Sequence, residues 1–218
     1  MVQTLVLDMV TTPRPQREQR VQLSGISWQT YQQLNAELEN RNLKLTYHQG
    51  VLEITAPSPE HEYLKKVMGR FVETLAEEFV VKLYPLGATT LERADLVSAS
   101  EPDECFYLTV NKIQAIKGKK RIDLSRDPAP DLVIEVDIAS QSKHRATTYA
   151  ALQVPEVWQF DGETLTLLAL KNGAYTMIQR SLAFPKLETQ AIESFLNQAM
   201  ERDYLELVRE FREWLKTL

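Results

Sequence analysis

APDLVIEVDIASQSKHRATTYAALQVPEVWQFD, residues 129–161, is the stretch that decides the fold. Residues 131–138 form a largely apolar run of strand length, and a turn-forming segment follows them. Ser142 is suited to cap a helix that Pro155 stops, and residues 156–160 have the pattern of a second strand. This order of strand, helix and strand predicts a βαβ crossover with the two strands parallel in one sheet.

Three carboxylates interrupt the first of these strands, at Asp131, Glu135 and Asp137. Successive side chains of a strand point to opposite faces, so the three share one face. A buried carboxylate is unfavourable unless a hard metal ion or a basic side chain compensates it. Ligands of such sheets gather beyond the carboxyl ends of strands, where Glu135 and Asp137 lie. The alternative is that Asp131 only begins the strand and Asp137 only ends it, which leaves Glu135 with a local partner.

Four ordered blocks of the chain resemble one bacterial family, the Uma-type family of restriction-endonuclease-like proteins in the PD-(D/E)XK nuclease superfamily. The resemblance covers nearly the whole chain, at about the family's spacing. It implies an α/β (α+β) fold with a restriction-endonuclease-like core, a mixed β-sheet flanked by helices, and cleavage of DNA. The blocks are GVLEITAPSPEHEYLKKVMGRF (50–71), EPDECFYL (101–108), PDLVIEVDIAS (130–140) and YAALQVPEVWQFDGETL (149–165).

The resemblance also implies a metal site. In that superfamily an Asp on one core strand and a Glu on the next bind a divalent metal ion, and a lysine supports the attacking water. The corresponding ligands here are Asp103 and Glu135, with Asp137 assisting. Without the resemblance, Asp103 has the pattern of an ordinary acidic turn. Carboxylates favour Mg²⁺ (or Mn²⁺), and the single Cys and three separated His give no zinc spacing.

The lysine is where the chain departs from the family's pattern. Asp137 stands at the lysine's usual place, and Arg145 matches a migrated position on the following helix. Arginine can clamp a phosphate, but its pKa, above about 12, prevents it from acting as a base. We expect Arg145 to face the cleft and hold the phosphate, since it shares a helical stripe with Tyr149. Lys143, about 200° away around the helix, is a secondary candidate.

A second helix, predicted from about Glu60 to Phe79, supplies two further secondary candidates. His61 extends the apolar stripe of this helix, and the alternative to a ligand role is a hydrogen-bonded packing residue. Glu62 is a candidate because a first-helix Glu sometimes completes the metal site in the superfamily. Its position also suits the helix dipole without any other role.

The remaining patterns predict one domain over residues 1–218, with a strand and helix extension at its N-terminus. The lone Cys105 has no partner cysteine, so we expect it to pack in the core. A terminal apolar stripe packs within the chain by default, and a homodimer is the alternative. The other expected elements are a helix at 28–39, hairpins at 43–55 and 164–180, strands near 89–91 and 105–108, and helices at 192–200 and 205–218.

Composition and charge indicate the cellular compartment and the kind of binding partner. No apolar run of about 18 residues occurs, and Asp8 interrupts an N-terminus without a leading basic segment, so we expect a cytoplasmic protein without a membrane span. The 25 basic and 30 acidic residues give a net charge of −5, which argues against a duplex-binding surface. Six basic residues between 112 and 126 predict a patch beside the cleft, and a solvated loop is the alternative.

The sequence therefore predicts a metal-dependent DNA endonuclease. One alternative is a catalytically impaired nuclease fold that binds DNA or protein, favoured by Arg145 and by the acid at position 137. Another is a phosphodiesterase of small nucleotides, which a narrow closed pocket would favour. Crowded carboxylates repel each other, so we expect Glu135→Gln to leave the metal-free protein as stable or more stable. A structural Glu135 with a buried partner predicts the opposite sign.

Overall fold

The computed structural model describes residues 18–38, 41–138 and 143–218. The chain alternates strands and helices through these ranges, and a short 3₁₀ helix, Ala94–Leu96, lies between two of the strands. The elements in chain order are β1 (Gln19–Ser24), α1 (Trp28–Leu38), β2 (Lys44–His48), β3 (Val51–Ala56), α2 (Pro59–Glu78), β4 (Tyr84–Pro85), β5 (Leu91–Arg93), β6 (Ser98–Ser100), β7 (Glu104–Tyr107), α3 (Val110–Ile116), β8 (Ile122–Asp123), β9 (Leu132–Val136), α4 (Lys143–Ala151), β10 (Glu156–Phe160), β11 (Leu165–Lys171), β12 (Ala174–Ile178), α5 (Thr189–Leu196) and α6 (Tyr204–Leu215).

The strands form two mixed sheets. The first sheet has the order β1-β3-β2-β6-β5-β8, and the second has the order β12-β11-β10-β9-β7-β4. In the second sheet β9 and β10 run parallel, with α4 between them in the chain, which confirms the predicted crossover. The other pairs in that sheet are antiparallel. The mixed α/β core expected from the sequence is therefore present, and a second sheet accompanies it.

The two faces of β9 contact different layers. Leu132, Ile134 and Val136 pack in an apolar cluster with residues of α2, α5 and α6. Val133 points to the other face, where it packs with Tyr149 and other buried residues around α4. Helix α4 also contacts β2 and β6, so it connects the two sheets. Glu135 is on the same face as Val133, and its carboxylate therefore lies between the sheets.

Helix α2 is fixed at its start by two features of the sequence. The Ser58 hydroxyl accepts a hydrogen bond from the His61 backbone N–H at 3.2 Å, and Pro59 occupies the first turn, where no backbone donor is needed. Ten of its residues are buried, among them Phe71, whose ring stacks on that of Phe211 at 4.2 Å. This packing sets the position of His61 relative to the sheets.

Most predicted elements are present, with differences at their ends and in the basic segment. The strand expected near 89–91 is β5, two residues further on, and the segment taken as loop contains α3 and β8. Strand β1 stands in the predicted N-terminal extension, although residues 1–17 lie outside the description. So do residues 39–40 and the predicted turn and cap at 139–142, with Ser142. No described helix is long and apolar enough to cross a membrane.

Candidate active site

Asp103 and Glu135 come together at the junction of β7 and β9. Asp103 directly precedes β7, which pairs antiparallel with β9 so that Glu104 lies opposite Ile134. The Val136 N–H donates to Asp103 Oδ2 at 2.7 Å, which fixes the aspartate carboxylate against the end of β9. Both side chains are buried, with 0% and 1% of their residues' surface exposed. The two predicted ligands are therefore neighbours between the sheets.

Lys44 provides a cation that both carboxylates share. Its Nζ lies 2.8 Å from Asp103 Oδ1 and 3.0 Å from Glu135 Oε2. Lys44 belongs to β2 of the first sheet and is 7% exposed. Burial alone would lower the pKa of this lysine, but the two carboxylates outweigh burial and raise the pKa. Sequence reasoning missed this residue.

His61 is the second cation at Asp103. Its Nε2 lies 2.7 Å from Asp103 Oδ1, and its Nδ1 lies 2.7 Å from Glu18 Oε2. Burial would lower the pKa of His61, but these two hydrogen bonds raise it to about 9, so both ring nitrogens donate at neutral pH. His61 is thus a hydrogen-bonded buried residue, and it also holds one of the predicted ligands.

Arg145 is a second cation at Glu135, and it bonds the same oxygen as Lys44. Its Nη1 donates to Glu135 Oε2 at 2.9 Å, its Nε to Glu53 Oε1 at 2.9 Å and its Nη2 to Thr55 Oγ1 at 2.8 Å. The residue is 2% exposed. The prediction that its guanidinium faces an open cleft is wrong, because the buried carboxylates of β3 and β9 hold it inside. The predicted stripe with Tyr149 is confirmed, since the Tyr149 hydroxyl donates to Glu135 Oε1.

Asp137 belongs to the same charged cluster but has a different partner. Its backbone N–H donates to Phe160 O at 2.8 Å, and its carboxylate accepts from Arg20, which also bonds Glu18 at 2.9 Å. Within the described part of the chain, the cluster contains five carboxylates and four cationic side chains, namely Glu18, Glu53, Asp103, Glu135 and Asp137 with Arg20, Lys44, His61 and Arg145. The sequence led us to expect crowded carboxylates that repel each other. The structure instead pairs each of these carboxylates with a cationic side chain.

The remaining candidates lie outside this cluster or outside the description. Glu62 forms an ion pair with Lys65 at 3.4 Å, beside the cleft described below. Asp131 directly precedes β9, in line with the alternative that it only begins this strand. It accepts from the N–H groups of Leu108 and Thr109 and pairs with Lys112 at 2.7 Å, so it also anchors the turn after β7. The side chain of Lys143 lies outside the described part of the chain.

The two predicted ligands differ in acidity. Burial would raise the pKa of Asp103, but Lys44 and His61 outweigh burial and lower it. At Glu135 burial dominates over Lys44 and Arg145 and raises the pKa. Cys105, on the neighbouring strand, is buried, and burial raises the pKa of its thiol to about 12. This confirms the prediction that Cys105 packs in the core.

The donor set fits a hard cation, with one condition. Mg²⁺ is commonly held by one or two carboxylates and several waters. Asp103 Oδ1 and Glu135 Oε2 already converge on one cationic group, so their geometry suits such an ion. No group of three or more His, Cys, Asp or Glu among the described residues is arranged to hold a metal. The condition is that the Lys44 ammonium, which occupies the shared position, must leave it.

A cleft of about 580 Å³ opens beside the cluster. Lys44 is part of its wall and bonds both carboxylates, so the cleft reaches the pair through this lysine, whereas Asp103 and Glu135 are not among the residues that line it. Lys120 and Arg121 of the predicted basic patch line it, whereas Lys112 pairs with Asp131 and Lys119 with Asp127. Fewer basic residues of the predicted patch therefore line the cleft than the sequence led us to expect. Further charged side chains of the wall are Arg41, Lys65, Glu62, Glu92, Glu101 and Asp123.

An Asp before one core strand and a Glu on the next, in a mixed sheet flanked by helices, is the arrangement of the restriction-endonuclease-like class. The model of the Uma2 family, described as "Putative restriction endonuclease", matches residues 28–204. The chain belongs to this family. A crystal structure described as "a putative nuclease belonging to DUF820", from Anabaena variabilis ATCC 29413, has 14% sequence identity and a TM-score of 0.48 over 70% of this chain and 90% of that chain. A search of curated proteins found no match.

Four residues of the cluster, and Tyr149 beside it, were not predicted as site residues. Glu18 and Arg20 lie outside the segment matched by the family model, and nothing in their local pattern indicates burial. Lys44 and Glu53 belong to a predicted hairpin whose strands are otherwise apolar or β-branched. A charged residue in such a strand is the signal that drew attention to Glu135, and it could have identified both. Tyr149 was noted only because it shares a helical stripe with Arg145.

Proposed function

We propose that the protein is a metal-dependent endonuclease that hydrolyses DNA phosphodiester bonds. The observation that carries the proposal is the convergence of Asp103 Oδ1 and Glu135 Oε2 on one cation position beside an open cleft. Family membership supports the same function, since the family is described as "Putative restriction endonuclease". Asp103 and Glu135 would hold Mg²⁺ or Mn²⁺.

The protein's own residues position this pair. His61 and the Val136 N–H fix the two oxygens of Asp103, while Arg145 and Tyr149 orient Glu135. When bound, the ion supplies charge neutralisation at the phosphate and activation of water. Such preorganised groups lower the barrier because they need no rearrangement during the reaction. Arg145 and Asp137 would serve here as positioning residues, because the ion pairs described for them lie within the cluster.

The cleft would take the polynucleotide backbone. Lys120 and Arg121 line it, and cationic side chains that contact phosphates provide affinity without sequence preference. The acidic side chains of the same wall keep this surface close to neutral overall. We therefore expect weak DNA binding with a shallow salt dependence, because few phosphates are contacted. The volume also suits a small nucleotide, so a cyclic dinucleotide and a nitrophenyl phosphodiester serve as comparison substrates.

The test is cleavage of supercoiled plasmid with Mg²⁺ or Mn²⁺. We expect nicked and linear products that chelation of the metal prevents. Asp103→Asn and Glu135→Gln should lower the rate at least about 100-fold, because each removes a charged ligand. Glu104→Gln is the matched control, since it makes the same change beside Asp103, and Glu104 does not bond to the Lys44 ammonium in the ion pairs described. Its activity should stay within about threefold of the wild type.

A catalytically impaired nuclease fold is the second candidate. The Lys44 ammonium in the shared cation position favours it, because a lysine fixed there would exclude the metal. Retardation of plasmid or oligonucleotide without cleavage, under all metals and substrates tried, would support this binder. Equal loss of activity in Glu104→Gln and in Glu135→Gln would instead place the site elsewhere.

A further inference from the structure

Lys44 stands where a divalent ion would bridge the carboxylates. We infer that Lys44 is the resident cation of the Asp103–Glu135 pair, and that a divalent metal binds there only by displacing its ammonium into the adjoining cleft. The inference rests on the proposed function, because it concerns the same pair. It also assigns a lysine to a site whose sequence lacks one at the family's usual position.

The hydrogen bonds of the two carboxylates leave no free oxygen for the metal. Asp103 Oδ1 accepts from Lys44 and His61, and Asp103 Oδ2 accepts from the Val136 N–H. Glu135 Oε2 accepts from Lys44 and Arg145, and Glu135 Oε1 accepts from Tyr149. Each oxygen has two lone pairs, and Asp103 Oδ1 and Glu135 Oε2 each accept two hydrogen bonds already, so an ion at the position that these two oxygens share must displace a donor. Among the donors in these bonds, only Lys44 contacts both carboxylates, so its departure opens one oxygen of each.

Lys44 is also the donor whose side chain can move into the adjoining cleft. His61 is held by Glu18 at its other nitrogen, and Arg145 is held by Glu53 and Thr55. Lys44 has a flexible four-carbon stem and lines the cleft. Glu101, in the same wall, is near enough for the Lys44 charge to lower the pKa of that carboxyl, although burial raises it overall. A displaced ammonium would thus find a carboxylate or a substrate phosphate within the cleft.

The charge of the cluster favours an exchange over an addition. In the described cluster five carboxylates face four cationic side chains, so the charges of Asp103 and Glu135 are already compensated before a metal binds. The Lys44 ammonium and a metal ion bound to the same two oxygens would repel each other strongly. Exchange of an ammonium for a divalent ion adds one unit of charge and leaves the lysine free to contact phosphate. The metal would therefore place Lys44 in the cleft at the moment when the site becomes competent.

The first test measures Mn²⁺ affinity in the absence of DNA. Electron paramagnetic resonance of free Mn²⁺ gives the dissociation constant for the wild type, Lys44→Met and Lys65→Met. Lys65 lines the same cleft but pairs with Glu62, so it is the matched control. We expect Lys44→Met to bind Mn²⁺ at least about tenfold more tightly, because no ammonium competes. An unchanged or weaker affinity, or no binding by either protein, would overturn the inference.

The second test uses the wild type, because Lys44→Met leaves two buried carboxylates short of a partner and can fail to fold. Reductive methylation with formaldehyde and a borane, mapped by peptide mass spectrometry, reports the accessibility of each amine. Without metal Lys44 should be modified slowly, and saturating Mn²⁺ should raise its rate at least about fivefold while Lys65 is unchanged. Equal protection of Lys44 with and without bound Mn²⁺ would overturn the inference.

The outcomes separate this inference from the proposed function. Tighter Mn²⁺ binding by Lys44→Met, with no cleavage by any form of the protein, would leave the exchange standing and remove the nuclease. Metal-dependent cleavage by a wild type whose Lys44 stays protected at saturating Mn²⁺ would support the nuclease and remove the exchange.

Discussion

Lys44 Nζ and Glu135 Oε2 lie 3.0 Å apart, although 91 residues separate them and they belong to different sheets. The pair connects the hairpin of β2 and β3 to the parallel strands of the second sheet. Arg145 makes a similar connection from α4, through Glu53 of β3 and Glu135 of β9. These ion pairs therefore hold the two sheets together as well as forming the candidate site.

The first prediction concerns the stability of Glu135→Gln. The change leaves Lys44 and Arg145 with one buried carboxylate fewer, and loss of one partner of a buried ion pair costs about 3–5 kcal/mol. We therefore expect a free energy of unfolding lower by about 3 kcal/mol in the metal-free protein, which reverses the sign predicted from sequence. Denaturant unfolding measures it, with Glu104→Gln as control. An unchanged or higher midpoint would mean that the carboxylates are not paired as described.

The second prediction concerns Arg145→Lys. The sequence alone predicts that this change preserves the fold, and that it raises cleavage if Arg145 is a degeneration of the family's lysine. Lysine cannot reproduce a fork that bonds Glu53, Glu135 and Thr55 together, so we now expect a loss of about 3 kcal/mol in stability. Arg126→Lys, at an exposed position, should change stability by less than about 0.5 kcal/mol. Equal unfolding midpoints for the two variants would contradict the buried role of Arg145.

The third prediction concerns acid stability and a histidine pair beside the charged cluster. His48 and His144 lie with ring centroids 6.1 Å apart, and burial lowers the pKa of both. His48 faces Ser98, and His144 faces the β3 backbone at Val51 and the charges of Glu53 and Arg145.

A lowered pKa means that the unfolded chain binds protons more tightly. The stability contribution of the pair is complete above the unfolded value of about 6.5 and is lost as the pH falls below it. Asn can keep the bonds at Nδ1, so the double variant His48→Asn with His144→Asn should lose less stability between pH 7 and pH 5 than the wild type. Parallel stability curves in thermal unfolding at several pH values would rule out this contribution.

The fourth prediction concerns α6, which extends beyond the segment matched by the family model. Phe211 is fully buried and stacks on Phe71 of α2 at 4.2 Å. Phe211→Ala should lower the free energy of unfolding by about 3–5 kcal/mol, because it leaves a cavity in the core. Leu205→Ala, on the same helix but 61% exposed, should cost less than about 0.5 kcal/mol. Similar losses for both variants would mean that α6 does not pack as described.

The sequence predicts local elements well because hydrophobic period and turn chemistry act over short distances. The crossover of β9, α4 and β10 and the position of α2 follow from such patterns, and family resemblance brings Asp103 next to Glu135. The partners of these carboxylates depend on which strands pair across the fold. Lys44 meets Asp103 only because β2 pairs with β6 and α4 links the sheets. No local pattern near residue 44 contains that information.

Arg145 shows the same limit for orientation. A helical stripe correctly directs it toward the sheets, but the stripe cannot say whether its head ends in solvent or among carboxylates. Glu53 decides this, and it lies 92 residues earlier in the chain. Glu18 and Arg20 are a further case, since Arg20 reaches the cluster from β1 and Glu18 from the residue before this strand.

Anomalous scattering from crystals grown with Mn²⁺ tests the proposed metal site most directly. We expect one anomalous peak between Asp103 and Glu135, bonded to an oxygen of each, with the Lys44 side chain turned into the cleft. The peak should be absent from Asp103→Asn crystals under the same conditions. A structure at saturating Mn²⁺ in which Lys44 still bridges both carboxylates, with any bound Mn²⁺ elsewhere, would contradict the assignment of this pair as the metal site.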